Sequence, residues 1–160
     1  MRCVQTFFVA LLTLSSVGFA QDTRELEWLD LMPEDEARVW MDASNQIDHT
    51  GLSDPDAFQS FRTVGDLDGQ KVKIPGFVVP IETDGEGNLK EFFLVPYFGA
   101  CIHVPPPPAN QIIYGRLADP IPMVNIWDAF WMEGQINIED VSNETAASAY
   151  TMDVSSLTLY

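Results

Sequence analysis

The sequence predicts a mainly β protein: a five-stranded barrel of the oligonucleotide/oligosaccharide-binding (OB) type, preceded by an N-terminal helical segment. Three observations predict it. Five strand-like stretches fall within residues 63–160. Glycine or proline interrupts several of them, as the curved strands of a small barrel require. Residues 21–62, by contrast, are acidic and turn-rich, with apolar side chains at helical spacing. An open β-sandwich is the alternative.

Residues 1–20 read as a secretory signal peptide. Arg2 supplies a basic start, Val4 to Phe19 a short apolar middle, and Gly18-Phe19-Ala20 a small-x-small ending. The apolar stretch is interrupted and too short to anchor the chain across a bilayer. Cys3 precedes it rather than ending it, which argues against a lipoprotein. The expectation is an exported protein, periplasmic in a Gram-negative source, with no membrane span in the mature chain.

Residues 22–42 read as helical through Leu26, Trp28, Leu29, Leu31, Met32, Val39 and Trp40. Pro33-Glu34-Asp35-Glu36 marks a second helix start, with proline in the first turn and acids at the positive end of the helix dipole. Asn45 to Asp56 is polar and contains His49, and Ser53-Asp54-Pro55 caps a short helix through Phe58 and Phe61. Val64–Gln70 is a turn. Lys71–Ile81 is a long strand, in which Pro75-Gly76 predicts a bulge or sharp bend because proline donates no ladder bond. Thr83–Asn88 is a hairpin loop. Glu91–Tyr97 returns as a strand that is apolar on both faces and hence central. Gln111–Leu117, Ala129–Ile138 with a bend at Gly134, and Ser148–Leu159 complete the five.

Charge excludes one class of partner. The chain carries 24 acidic against 8 basic residues, a formal net charge of −16, and its Lys and Arg are scattered. Nucleic acid and anionic lipid surfaces are therefore repelled, although OB barrels often bind nucleic acid. Fold does not settle function.

The chemistry concentrates in Gly99-Ala100-Cys101-Ile102-His103-Val104 and the prolines Pro105 to Pro108. With the leader gone, Cys101 is the one remaining cysteine. In extended backbone, residues two apart point to the same side, so Cys101 and His103 face one volume. Pro105 holds Val104 extended, and the proline run is stiff polyproline II, so the segment is ordered before any ligand arrives. Thiolate with imidazole suits zinc, or copper in its reduced state. Two ligands do not complete a site; His49, carboxylates or a second copy in a dimer are the further candidates, with Met123 relevant only to copper. A buried inert pair and a reactive thiol activated by His103 are the alternatives. For the enzyme no third orienting residue and no C-x-x-C pair appears, so the chain reads as non-catalytic. The proline run is also a docking element for aromatic grooves. Asn110 and Gln111 are placed to fix the turn by bonding to backbone, while Trp127 and Trp131 read as core packing.

Residues Ile74–Pro80, Phe93–Gly99 and above all Gly99–Gln111, with the run GACIHVPPPPANQ, closely resemble the signature of a bacterial exported-protein family, domain-of-unknown-function family 3299. The resemblance covers roughly residues 60–160, and its Cys-x-His-polyproline motif is a specific marker. It implies an OB-type barrel in a secreted protein. It also implies an accessory role beside envelope ABC-transport or metal-handling proteins, in settings linked to zinc. No activity and no ligand beyond Cys101 and His103 carries over.

Overall fold

A computed structural model of the chain describes residues 22–45, 60–100 and 106–160. It contains the strands β1 (Arg24–Glu25), β2 (Lys71–Thr83), β3 (Leu89–Val95), β4 (Ile113–Ile121), β5 (Ala129–Ser142) and β6 (Ala147–Leu159), and near the N-terminus the helix α1 (Glu34–Asn45). The sheet order β1-β2-β3-β4-β6-β5 closes on itself because β5 also pairs with β2. Strands β2 to β6 thus make a closed five-stranded barrel, with β1 an added strand on its edge. The β1–β2 and β4–β6 junctions are parallel; the other junctions are antiparallel.

The expected helix over residues 22–32 is not formed. Arg24 and Glu25 pair with Val72 and Lys73, and the Leu26 N–H donates to the Lys73 carbonyl at 2.9 Å. A 3-10 turn, Trp28–Leu31, follows, and the Trp28 indole donates to the Pro75 carbonyl at 2.7 Å. Leu26, Leu31 and Met32 are buried. Tertiary demand for strand-edge partners overrides the helical spacing there. Beyond Pro33 the helix starts as the sequence predicts, since the Glu36 and Ala37 N–H groups both donate to the Pro33 carbonyl.

Besides β1, strand β2 serves two barrel neighbours, β5 through Lys71–Phe77 and β3 through Phe77–Thr83. Of the bulge or sharp bend expected at Pro75-Gly76, the bulge is absent. The ladder to β5 runs in unbroken register through Pro75 and Gly76, and the irregularity falls instead in the ladder to β3, over Pro80–Thr83. The reason is directional. The N–H and C=O of one strand residue point to the same side, and the Pro75 carbonyl faces Trp28, so the missing donor never belonged to the β5 ladder. Gly76 is needed for a different purpose: a Cβ there would sit 2.8 Å from the Val95 carbonyl oxygen and 2.9 Å from the Trp28 ring.

Strand β3 is buried on both faces, as its composition predicts. Phe92 and Leu94 point into the barrel, packed with Ile74, Val78, Met132 and Tyr150. Phe93 and Val95 point outward into a second cluster with Val79, Ala100 and Ile112. Each such side chain contributes roughly 1.5–3 kcal/mol on burial. Ala100 and Ile112 belong to the described ends of the connection between β3 and β4, and these two ends therefore pack against the outside of the barrel. Among the described residues no helix is long and apolar enough to cross a membrane.

Candidate functional site

Cys101 and His103 lie outside the described residues, as do His49, Pro105 and the short helix expected to start near Ser53. What the structure places is both flanks of the motif. On the near side, Gly99 adopts φ of 83°, the left-handed region open to glycine, and turns the chain so that Ala100 is fully buried. On the far side Pro107 to Gln111 are buried, ending in a 3-10 turn over Ala109–Gln111.

Asn110 and Gln111 fix that turn, largely through the N-terminal segment rather than their own loop. The Asn110 side-chain amide donates to the Arg62 carbonyl and to Glu36 Oε2, both at 2.9 Å, and its backbone N–H donates to the Ser60 carbonyl. The Gln111 amide donates to the Trp28 carbonyl at 2.7 Å and to the Asn110 carbonyl. Glu36 also accepts from the Ser60 hydroxyl and from Arg62, whose other partner is Asp35. The Arg62 hydrogen bond holds the Asp35 carboxyl below its ordinary range. Helix, N-terminal turn and motif loop are thereby joined through one polar cluster. Asn110 Oδ1 is buried and finds no donor among the described residues, a cost of roughly 1–3 kcal/mol.

Beside this anchor runs an open, largely apolar groove of about 460 Å³, walled by Trp28, Leu29, Trp40, Met41, Pro96, Tyr97 and Pro107, with Gln111 as its amide. It borders both flanks of the motif.

Metal ligation needs more than two protein groups. Among the described residues no three His, Cys, Asp or Glu side chains converge. Any ion on Cys101 and His103 would take its remaining ligands from elsewhere in the chain or from a second copy. Met123, the copper candidate, is exposed in the β4–β5 loop.

Trp127 is not a core residue. It is 64% exposed, stacks on Phe98 with ring centres 4.6 Å apart, and Phe98 meets Phe77 edge-on at 6.0 Å. Core packing fails to hold it because the β4–β5 loop is folded outward by its own polar bonds. The Asn125 side chain accepts from the Trp127 N–H at 3.4 Å and donates to Asp128 at 2.9 Å, and the Asp128 N–H returns to the Asn125 carbonyl at 3.1 Å. The short polar residues Asn125 and Asp128 bracketing Trp127 were the available signal for such a turn. Trp131 is half-buried, against Tyr160 and beneath Lys73.

The sequence profile described as a protein of unknown function (DUF3299) matches residues 28–159. The chain is also similar to a DUF3299 family protein from Pseudomonas aeruginosa PAO1, known from a crystal structure. The two are 38% identical over 87% of this chain and 97% of that one, with a TM-score of 0.68. No curated protein matches the sequence.

Proposed function

This chain belongs to the DUF3299 family, and from that premise we propose that it is an exported, non-catalytic binding module that docks an envelope partner on the outside of an OB-type barrel. The OB assignment is supported by the closed strand order, with a parallel junction between the third and fifth barrel strands. Export is supported by the leader-like residues 1–20.

The observation that carries the binding role is the Phe98–Trp127 stack. A large aromatic surface held in water by a hydrogen-bonded turn, next to a loop clamped at both ends, is pre-organised contact area. Core packing gives no reason for it. Of the described prolines in the run, Pro106 is exposed and Pro107 and Pro108 are buried, so Pro106 is the one open to a partner. The test is a capture experiment from envelope extract. A defined partner should be retained by the wild-type protein, and lost with Trp127→Ala and with alanines in place of the prolines. Equal retention by all three proteins refutes the reading.

A second reading keeps Cys101 and His103 as ligands for zinc, with copper the alternative, in an accessory to metal handling or ABC transport. The specific observation favouring it is the clamping of both flanks, which limits the ordering cost of assembling a site. Metal analysis of protein prepared without a polyhistidine tag tests it. About one equivalent or one per dimer should be found, and should disappear in Cys101→Ala and His103→Ala. Metal-free wild-type protein that also fails to take up zinc ends this reading.

A further inference from the structure

The Trp127–Phe98 platform also indicates what kind of partner it takes, and the inference rests on the binding-module reading above. Two other aromatic rings on the barrel already hold cations of the chain itself. Lys73 Nζ lies 4.6 Å from the centre of the Trp131 ring, and the Arg116 guanidinium 5.3 Å from that of Tyr114. Both cations are also paired with carboxylates, Lys73 with Glu25 and Arg116 with Glu139, each at 2.9 Å. The recurring unit is therefore an aromatic face, a cation over it and an acid beside it.

At Trp127 the aromatic face is present and the acid is next to it in sequence. The indole is exposed and braced from behind by Phe98. Asp128 follows it in the chain, exposed, its carboxylate steadied by one bond from Asn125. Among the described residues no cation lies over either ring. The full chain has a formal net charge of −16, and such an excess of acid draws cationic partners in at long range and repels anionic ones. We propose that Trp127, Phe98 and Asp128 form a docking site for an arginine in a basic segment of a partner protein, the guanidinium stacking on the indole and pairing with Asp128. Arginine fits better than lysine because its planar group stacks on an aromatic face and bonds a carboxylate through a fork of donors.

The test titrates the full chain with fluorescent peptides that alternate glycine with arginine, lysine or glutamate, and with a proline-rich peptide. Binding is read by anisotropy at low and at physiological salt. The arginine peptide should bind best, and more weakly as salt rises. Trp127→Ala should weaken it about five- to tenfold, the range of a partly desolvated cation–π contact. Asp128→Asn should weaken it about threefold and flatten the salt dependence. Both positions are exposed, so circular dichroism should report an unchanged fold. Equal binding of the arginine peptide by wild type and Trp127→Ala overturns the proposal. Trp127-dependent binding of the proline-rich peptide alone overturns the arginine assignment and leaves the binding-module reading standing. If no peptide shows Trp127-dependent binding, the arginine proposal falls, and the capture experiment decides the binding-module reading separately.

Discussion

Replacing Tyr150 by phenylalanine isolates the bond between the barrel and its N-terminal segment. Tyr150 is fully buried on β6. Its hydroxyl donates to the Leu31 carbonyl at 2.9 Å and accepts from the Val64 N–H at 2.7 Å. Phenylalanine keeps the ring and removes one oxygen, so no cavity of consequence opens. Two backbone groups lose their partner instead. A buried polar group left unpaired costs about 1–3 kcal/mol. Leu31 is fully buried and takes the larger share; Val64 is half-buried, so water recovers part of its loss. The expected destabilisation is about 2 kcal/mol, which in a domain of this size lowers the melting temperature by roughly 5–10 °C. Urea unfolding should show a lower midpoint at unchanged slope, because the native surface is the same. Tyr160→Phe, at a ring 72% exposed, is the control. If the two variants differ by less than about 0.5 kcal/mol, the hydroxyl bridge does not join the segments and the reasoning fails.

Alkaline pH should unfold the protein in a defined window. Burial pushes both tyrosines, Tyr114 and Tyr150, up to about 12, with the Glu91 carboxylate adding to the effect at Tyr114. In the unfolded chain a tyrosine ionises near its ordinary value of about 10. Between these values the unfolded state binds fewer protons, so stability is intact below pH 10 and falls as pH rises toward 12. Tyr150→Phe should remove part of that slope; a flat stability profile across the window contradicts the assignment. Gly134→Ala should cost about 3 kcal/mol, since a Cβ there would lie 2.2 Å from the Asp153 carbonyl oxygen at a register shift where the backbone has little room to yield. Gly85→Ala, which meets nothing within 4 Å, should be neutral in the same denaturation assay.

The five barrel strands were legible in order because alternation and turn residues are local signals. The double-sided burial of β3 was legible too, in the unbroken apolar run Phe92-Phe93-Leu94-Val95. Three features were not; the first two depend on distant residues, and the third on a local turn whose signal the apolar ring outweighed. Leu26 and Trp28 belong to an apolar set that, with Leu29, Leu31 and Met32, reads as helical, yet they serve the edge of β2 because Lys73 and Pro75 present carbonyls there. Pro75 seemed to demand a bulge, and which side of the strand its missing N–H faces cannot be read locally. Trp127 looked apolar and hence internal, whereas its loop is turned outward by Asn125 and Asp128. The motif's partners were half legible: Asn110 and Gln111 do bond to backbone, but reaching Arg62 and Trp28 requires the tertiary fold.

The closure of the barrel has a kinetic consequence. Its sealing joints match β2 with β5 and β4 with β6, segments far apart along the chain. A nascent polypeptide can form the β2–β3 hairpin early, but its inner apolar face stays open until the C-terminal residues have been synthesised. Search over such long loops makes folding slow relative to a helical protein of equal length. Half-made intermediates would expose Phe92 and Leu94 to neighbouring chains. Slow, late-committing folding keeps the polypeptide unfolded for longer, the state in which a helper protein can hold it.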